Sequence, residues 1–434
     1  PTYPTYPLPH LPHLPSTPTP ILPQKETLIM TTPKRIGILT SGGDCPGLNA
    51  VIRAVVKCAD RRGWDVIGIP YSTDGLVQVA EGKYDPEHLV LREHGYDMPG
   101  ILQGIDILQF LSGTILGSLN KGHPEDPEVV KKILEGYRIL KLDVLIAIGG
   151  DGSLDIIYTL AQKGGWNLIG IPKTIDNDVP FTERSVGFDT AIQTVTTALY
   201  DLTFTAASHD RVMVVEVMGR DAGHLALHAG IAGGADVILI PELVPMLDPP
   251  IVNQICEEIA EMRRRGRKFA LLVVAEGVKG EGGQKVHIGE FLATAVANRS
   301  CALCNTGEVD YCEMDQVETR ATVLGHIQRS GTPTASDRLL ASAFGRKAVD
   351  LIAEERFNRL VVWEAGRVRS KDLDEVIAII RDCHEREVCP GPVETDSTMV
   401  KVARASGIYV GDPATLPPLP VKAPSYAEKQ AIQV

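Results

Sequence analysis

Between Gly170 and Val179 the chain reads GIPKTIDNDV, placing a hydroxyl and two carboxylates at alternate positions, Thr174, Asp176 and Asp178, directly after Lys173 and a short apolar run. Carboxylates gain nothing from burial at a strand end, so their position asks for a chemical reason or a turn. A carboxylate within reach of an alcohol can take its proton as a bond to phosphorus forms, which makes Asp176 a candidate general base in phosphoryl transfer. Alternation along an extended chain turns the three side chains to one side. Thr174 would then bind phosphate, and Asp178 would assist a metal or hold Asp176. Lys173 would bring positive charge to the transferring group. A solvated turn rich in Asp and Asn accounts for the same residues without chemistry.

Two glycine-bearing turns offer a partner for that base. In TSGGDCPGLNA, residues 40–50, Gly42 and Gly43 let backbone N–H groups approach a ligand ahead of a helix N-terminus, a setting that favours phosphate. A tight turn with no ligand is the equal alternative. In AIGGDGSLD, residues 147–155, Gly149, Gly150 and Gly152 keep the backbone low under a polyphosphate. Asp151 supplies a hard oxygen for the Mg²⁺ such a ligand carries. Neither turn is a P-loop or a GxGxxG fingerprint, so a P-loop NTPase and a Rossmann dehydrogenase are not indicated. A GGDG turn by itself also fits an NAD or lipid kinase.

These turns follow apolar β-type runs. Strands are expected over 35–40, 65–70, 144–149, 168–172, 211–217, 237–241, 268–275 and 319–324, with near-continuous Val, Ile and Leu that suggests parallel strands covered on both faces. Between the first two, Leu48, Val51, Ile52, Val55 and Val56 recur at helical spacing until Gly63. Ile192, Val195, Leu199 and Leu202 draw a similar stripe. Repeated strand–helix–strand units make this an α/β protein whose ligands gather at strand carboxyl ends.

The 434 residues suffice for two or three domains. A formal charge of −12 without a basic domain argues against a nucleic-acid partner. No apolar run approaches the roughly 18–20 residues of a membrane span, so no membrane partner is expected. Eight cysteines suggest reduced cytoplasmic thiols, and the lone Cys301-Ala-Leu-Cys304 pair is better read as helix or loop than as zinc. Residues 1–33, with Pro at short intervals, are expected to form an extended, disordered leader, with organelle targeting and a start at Met30 both open. A second Pro-rich stretch, 413–424, marks a tail over 406–434. His224 and His228 sit four apart but lack the Glu of HExxH and a third ligand. The run RRRGRK, 263–268, is expected at a helix C-terminus.

Taken together, TSGGDCPGLNAVIR, GGDGS, TIDND, VEVMGR, AEG and TRATVLGHIQRSGTP, in this order over roughly residues 34–405, resemble the 6-phosphofructokinase family. The resemblance implies Mg²⁺-dependent transfer of a phosphoryl group to the C1 hydroxyl of fructose 6-phosphate. It implies Asp176 as proton acceptor, with Thr174 and Arg220 beside the transferred group, and Asp151 as the magnesium carboxylate. Gly43, Lys121, Gly150, Asp151, Gly152 and Ser153 match nucleotide-binding positions. Sugar binding falls to Met218, Gly219, Arg220 and Glu276, with His326 and Arg329 on the 6-phosphate. Arg211 and Arg320 match arginines that reach that phosphate from a neighbouring subunit, which implies a homotetramer with shared sites. Arg53, Asp236 and the basic run match positions at which allosteric relatives hold an anionic effector.

Some positions depart from the family pattern. Gly152 leaves room for the α-phosphate of ATP, where pyrophosphate-using members carry Asp. Lys173 is the residue those members share. The steric difference outweighs the charge, so ATP is the expected donor, with pyrophosphate as the alternative. Asn120 stands where the family has an arginine, a mild sign of a non-catalytic regulatory subunit that the intact Asp151 and Asp176 oppose. Residues 297–317 are expected to form a surface insertion. The expected architecture is two three-layer α/β/α domains with mainly parallel sheets, the phosphofructokinase fold. The larger, nucleotide-binding domain would comprise 34–187 and 327–378, and the smaller 188–326 and 379–405.

Overall fold

The computed structural model describes residues 34–94, 104–119, 126–284, 287–306 and 317–411. The expected leader, most of the tail, Asn120 and Lys121 lie outside the described residues. Two sheets organise the chain. The first has seven strands in the order β11-β10-β5-β4-β1-β2-β3: β1 (Arg35–Thr40), β2 (Asp65–Gly68), β3 (Val90–Leu91), β4 (Val144–Gly149), β5 (Leu168–Pro172), β10 (Arg359–Glu364) and β11 (Arg367–Asp372). Only the edge strands β3 and β11 are antiparallel. The second has four parallel strands in the order β7-β8-β6-β9: β6 (Val212–Val217), β7 (Val237–Leu239), β8 (Ala270–Ala275) and β9 (Thr319–Val323).

The eight expected strands are all present, within three residues at each end. The missed ones are β3, β10 and β11. The last two form a hairpin whose turn residues, Ala365 and Gly366, have φ of 50° and 72°. A primed turn normally announces itself by Asn-Gly or Asp-Gly, and Ala in its first central position hides it.

Helices cover both faces of each sheet, as continuous Val/Ile/Leu strands require. Helices α1 (Leu48–Asp60), α5 (Phe188–Ser208), α6 (His224–Ala232) and α9 (Ala335–Ala353) share one core between the sheets, joining Ile38, Ile146, Val51 and Phe344 to Val195, Val215 and Ile238. A Cβ at Gly345 would lie 2.7 Å from Ala54 Cβ, so α9 can pack this closely on α1 only because position 345 has no side chain. Outside the first sheet lie α2 (Thr73–Ala80), α3 (Pro127–Ile139), α4 (Asp151–Gly164) and α10 (Leu373–Glu385). Outside the second lie α7 (Pro249–Arg264) and α8 (Ile288–Thr306). A last helix, α11 (Thr398–Ala405), packs beside α6.

Helix α10 runs unbroken across the expected boundary at residue 378, and its apolar residues Leu373, Val376, Ile377 and Ile380 all join the outer core of the first sheet. The return of the chain to the second sheet therefore falls after residue 385. Residues 297–306 continue α8 rather than starting an insertion, so Cys301 and Cys304 lie on its last turns; residues 307–316 lie outside the described ones. Among the described residues no helix is long and apolar enough to cross a membrane.

Candidate active site

The polar motifs meet where both sheets end. Strand β5 stops at Pro172, and Lys173 continues it for one residue, donating its N–H to Gly149 O at 3.0 Å while Thr174 N binds Val186 O at 3.2 Å. From there the chain is a turn and not a strand. Asn177 adopts φ 54°, and its side chain ties the loop by donating to Glu183 O at 3.1 Å and accepting from Ser185 N at 2.8 Å. Burial alternates all the same: Ile175, Asn177 and Val179 face inward, whereas Thr174, Asp176 and Asp178 are partly open. Thr174 Oγ1 accepts from Asp176 N at 3.0 Å, and the Thr174 hydroxyl favours the ionised form of Asp178. The turn chemistry and the one-sided display of three polar groups are thus the same arrangement.

Asp176 sits at the centre of the opposing charges. Burial pushes its carboxyl up to about 6; Glu276 and Asp151 add to the rise, and Arg329 and Arg220 oppose it. Burial, then Asp176 and Asp151, push Asp178 up to about 7. Each keeps one buried carboxylate oxygen, Oδ1, without a hydrogen-bond partner. Unpartnered carboxylate oxygens of this kind suit a hard divalent cation. Among the described residues no group of three His, Cys, Asp or Glu closes on a single point. Mg²⁺ ordinarily takes one or two carboxylates and completes its shell with substrate phosphate and water.

The two glycine turns face this loop. Lys173 is buried, its Nζ donates to Gly43 O, and burial holds its pKa below the usual lysine value. Gly42 has φ 83°, and a Cβ there would meet Ser153 Oγ at 2.8 Å. A Cβ at Gly43 would strike the Arg329 guanidinium at 2.7 Å, and Arg329 also donates to Asp44 O at 3.2 Å. Helix α4 opens at Gly150 with no side-chain cap, leaving its first N–H groups free for an anion. A Cβ on Gly152 would meet nothing within 4 Å. Beside these turns a cleft of about 500 Å³ is lined by Gly42, Gly43, Asp44, Ser112, Thr114 and Ser118 among others. The hydroxyls of Ser112, Thr114 and Ser118 were not anticipated, because a single Ser or Thr in a loop carries no pattern.

From the second sheet, Met218, Gly219 and Arg220 follow β6, and Glu276 follows β8. Met218 N is held by Gln328 Oε1 at 3.1 Å and Gly277 N by Gly219 O at 3.1 Å. Gln328, fully buried, also fixes the turn that carries exposed His326 and half-buried Arg329. Arg211 and Arg320 lie elsewhere. They stand at the amino ends of β6 and β9, roughly 20 Å along the strands from the Met218–Arg220 turn, and both pair with Glu318, Arg211 at 2.8 Å. A single chain does not bring them to Asp176.

The remaining candidates are engaged within the chain. His224 and His228 pack edge-on against Phe188, and burial holds both below the usual histidine pKa. Arg53 binds Asp106 at 2.9 Å, and Arg267 grips Asp236 with both terminal nitrogens, at 2.6 and 2.9 Å. Arg264 and Arg265 pair with Glu261 at the end of α7. One site residue had no sequence signal at all: His384, on the last turn of α10, contacts Asp151 Oδ2 through Nε2 at 2.8 Å.

The chain is similar to known proteins in sequence and in fold. Residues 35–352 match the family model described as phosphofructokinase. An ATP-dependent 6-phosphofructokinase 2 of Nostoc sp. is 50% identical over 383 residues, covering 87% of this chain and 99% of that protein. The ATP-dependent 6-phosphofructokinase of Chloroflexus aurantiacus is 40% identical over 391 residues, covering 87% and 98%. Among solved structures, Pichia pastoris phosphofructokinase in the T-state superposes with a TM-score of 0.68 at 27% identity, over 82% of this chain and 39% of that one. A pyrophosphate-dependent phosphofructokinase of Nitrosospira multiformis, 19% identical, shares the fold with a TM-score of 0.66 over 91% and 95%. With residues 35–352 matched by the family model and the Nostoc and Chloroflexus enzymes covered almost end to end, the chain belongs to the phosphofructokinase family.

Proposed function

We propose that this chain transfers the terminal phosphoryl group of ATP to the C1 hydroxyl of fructose 6-phosphate, yielding fructose 1,6-bisphosphate and ADP in the cytoplasm. One arrangement supports the mechanism: Asp176 keeps a buried carboxylate oxygen, Oδ1, without a hydrogen-bond partner, among the charges of Arg329, Glu276, Asp151 and Arg220. A base poised near the working pH takes the hydroxyl proton as the bond to phosphorus forms. Thr174 orients the loop and Arg220 neutralises the transferring group. Met218, Gly219 and Glu276 hold the sugar; His326 and Arg329 hold its 6-phosphate. The nucleotide lies over Gly43, Gly150, Gly152 and Ser153; Lys121, matched to this site by sequence, lies outside the described residues. Asp151 would hold Mg²⁺, which when bound neutralises the polyphosphate.

Two domains, one around each sheet, would close on the substrates from either side. Arg211 and Arg320 would complete the sugar site of a neighbouring subunit in a homotetramer. This reading is supported by their distance from Asp176 in one chain, and by β9 being an edge strand with exposed Val323, beside exposed Ile327. Such an assembly also leaves room for an anionic effector between subunits near Arg53.

ATP is the donor because Gly152 opens onto free space, where a carboxylate would oppose a nucleotide's α-phosphate. Lys173, the residue type that the resemblance assigns to pyrophosphate-using members, carries pyrophosphate as the second reading. Purified protein with fructose 6-phosphate and Mg²⁺, offered ATP or pyrophosphate in parallel, is expected to turn over with ATP. Faster turnover with pyrophosphate would reverse the donor assignment. Gly152→Asp should raise the KM for ATP at least tenfold and leave that for the sugar phosphate unchanged.

A further inference from the structure

Helices α4 and α10 lie antiparallel on the outer face of the first sheet, and a polar seam runs along their contact. Tyr158 Oη donates to Asp374 at 2.6 Å, and Arg381 donates to Asp155 and to Thr159, each at 2.7 Å. The seam ends at His384 Nε2 and Asp151 Oδ2, 2.8 Å apart. On α4 the contacted positions 151, 155 and 159 are four apart and so form one stripe.

Asp151 is the first residue of α4, directly after the uncapped glycine. Among the described residues its carboxylate has one hydrogen-bond partner, His384. An ionised carboxylate only accepts, so the imidazole is the donor, and it occupies Oδ2 while leaving Oδ1 free. A short side chain on an exposed first turn would otherwise sample several rotamers. Carboxylates that hold metal ions are themselves commonly fixed by an outer hydrogen bond, whose loss weakens metal affinity by about 10–100-fold.

We propose that His384 is a positioning residue that locks the Asp151 rotamer, so that the free oxygen faces the metal–nucleotide complex. The proposal rests on the reading of Asp151 as the magnesium carboxylate. It also gives α10, which follows the large sheet and precedes the return to the second one, a direct hold on the phosphate turn.

The test measures binding rather than turnover. Mn²⁺ with a non-hydrolysable ATP analogue is titrated into full-length protein without sugar and followed by electron paramagnetic resonance and calorimetry. His384→Ala is expected to weaken binding of the metal complex about 10–100-fold, with metal-free analogue and fructose 6-phosphate bound as before. His384→Gln, whose amide N–H can reach the same oxygen, should recover most of the loss. Arg381→Met, which breaks the neighbouring seam contacts and leaves Asp151 untouched, should have no effect on metal affinity. If Asp151→Ala leaves the affinity unchanged, the underlying reading of Asp151 fails. If Asp151→Ala weakens binding and His384→Ala does not, only the role of His384 is overturned. Equal losses from His384→Ala and Arg381→Met would assign the effect to helix packing and overturn it too. So would tighter binding in His384→Ala, because the imidazole would then be occupying the place of the cation.

Discussion

At residue scale the proposed chemistry turns on two carboxylates two positions apart that cannot both be comfortable when ionised. Their folded pKa values, about 6 for Asp176 and about 7 for Asp178, lie above the ordinary carboxylate range mainly through burial. A base must be deprotonated to act, so kcat/KM should rise with pH through roughly 6 to 7 and then level off, a profile that belongs to the pair. Asp176→Asn should lower kcat by about 10²–10⁴-fold, with fructose 6-phosphate affinity, measured by calorimetry, nearly unchanged. Near-normal turnover in that variant would end the proposed mechanism. The same shifts affect stability, with the sign set by a folded pKa above the unfolded one. Their contribution is full below about pH 4 and is lost as pH rises through 6 to 7. Thermal melts of ligand-free Asp178→Asn should therefore show a gain on the order of 1 kcal/mol at pH 8 that fades toward pH 4.

At the scale of elements, remote carboxylates supply acceptors at the starts of α5, α6 and α8. Asp337, fully buried on α9, accepts from Gly187 N at 3.0 Å and Thr190 N at 2.8 Å, and from the Thr190 hydroxyl, at the start of α5. Glu242 accepts from Gly223 N at 2.9 Å ahead of α6, and Glu216 from Gly289 N at 2.8 Å in α8. Helices farther along are capped locally, as by Asp126 on α3, Asp248 on α7 and Ser397 on α11. A local cap sets where one helix begins, whereas a remote one also fixes that beginning against another element. Asp337→Ala leaves buried N–H groups unpaired and should cost roughly 3 kcal/mol in urea denaturation. Asp337→Asn, which keeps an acceptor, should cost clearly less. Equal losses would mean that the charge, and not the hydrogen bonds, carries the effect.

For the whole molecule, the separation of Arg211 and Arg320 from Asp176 supports the proposal that the sugar site is shared between subunits. Dilution or an edge-disrupting substitution such as Val323→Asp should raise the KM for fructose 6-phosphate far more than that for ATP, with assembly followed by sedimentation. Equal effects on both would argue against shared sites. Both arginines pair with Glu318 in the single chain, so on the proposed shared site an incoming phosphate would exchange for that carboxylate.

Much of this protein was legible in its residues because the governing signals are local. Continuous Val/Ile/Leu runs specify buried parallel strands. Glycine followed by Asp after such a run marks a phosphate turn, and Thr174, Asp176 and Asp178 are displayed together by nearest-neighbour geometry. The β10–β11 hairpin was hidden by Ala365 in a conformation alanine rarely adopts. Tertiary structure alone decided that Asp176 meets Glu276 and Arg329 from distant segments, that Arg211 and Arg320 do not, and that His384 ends beside Asp151. Such meetings depend on how helices and sheets pack across more than a hundred residues of chain, and pairwise distance of that kind leaves no periodicity to read.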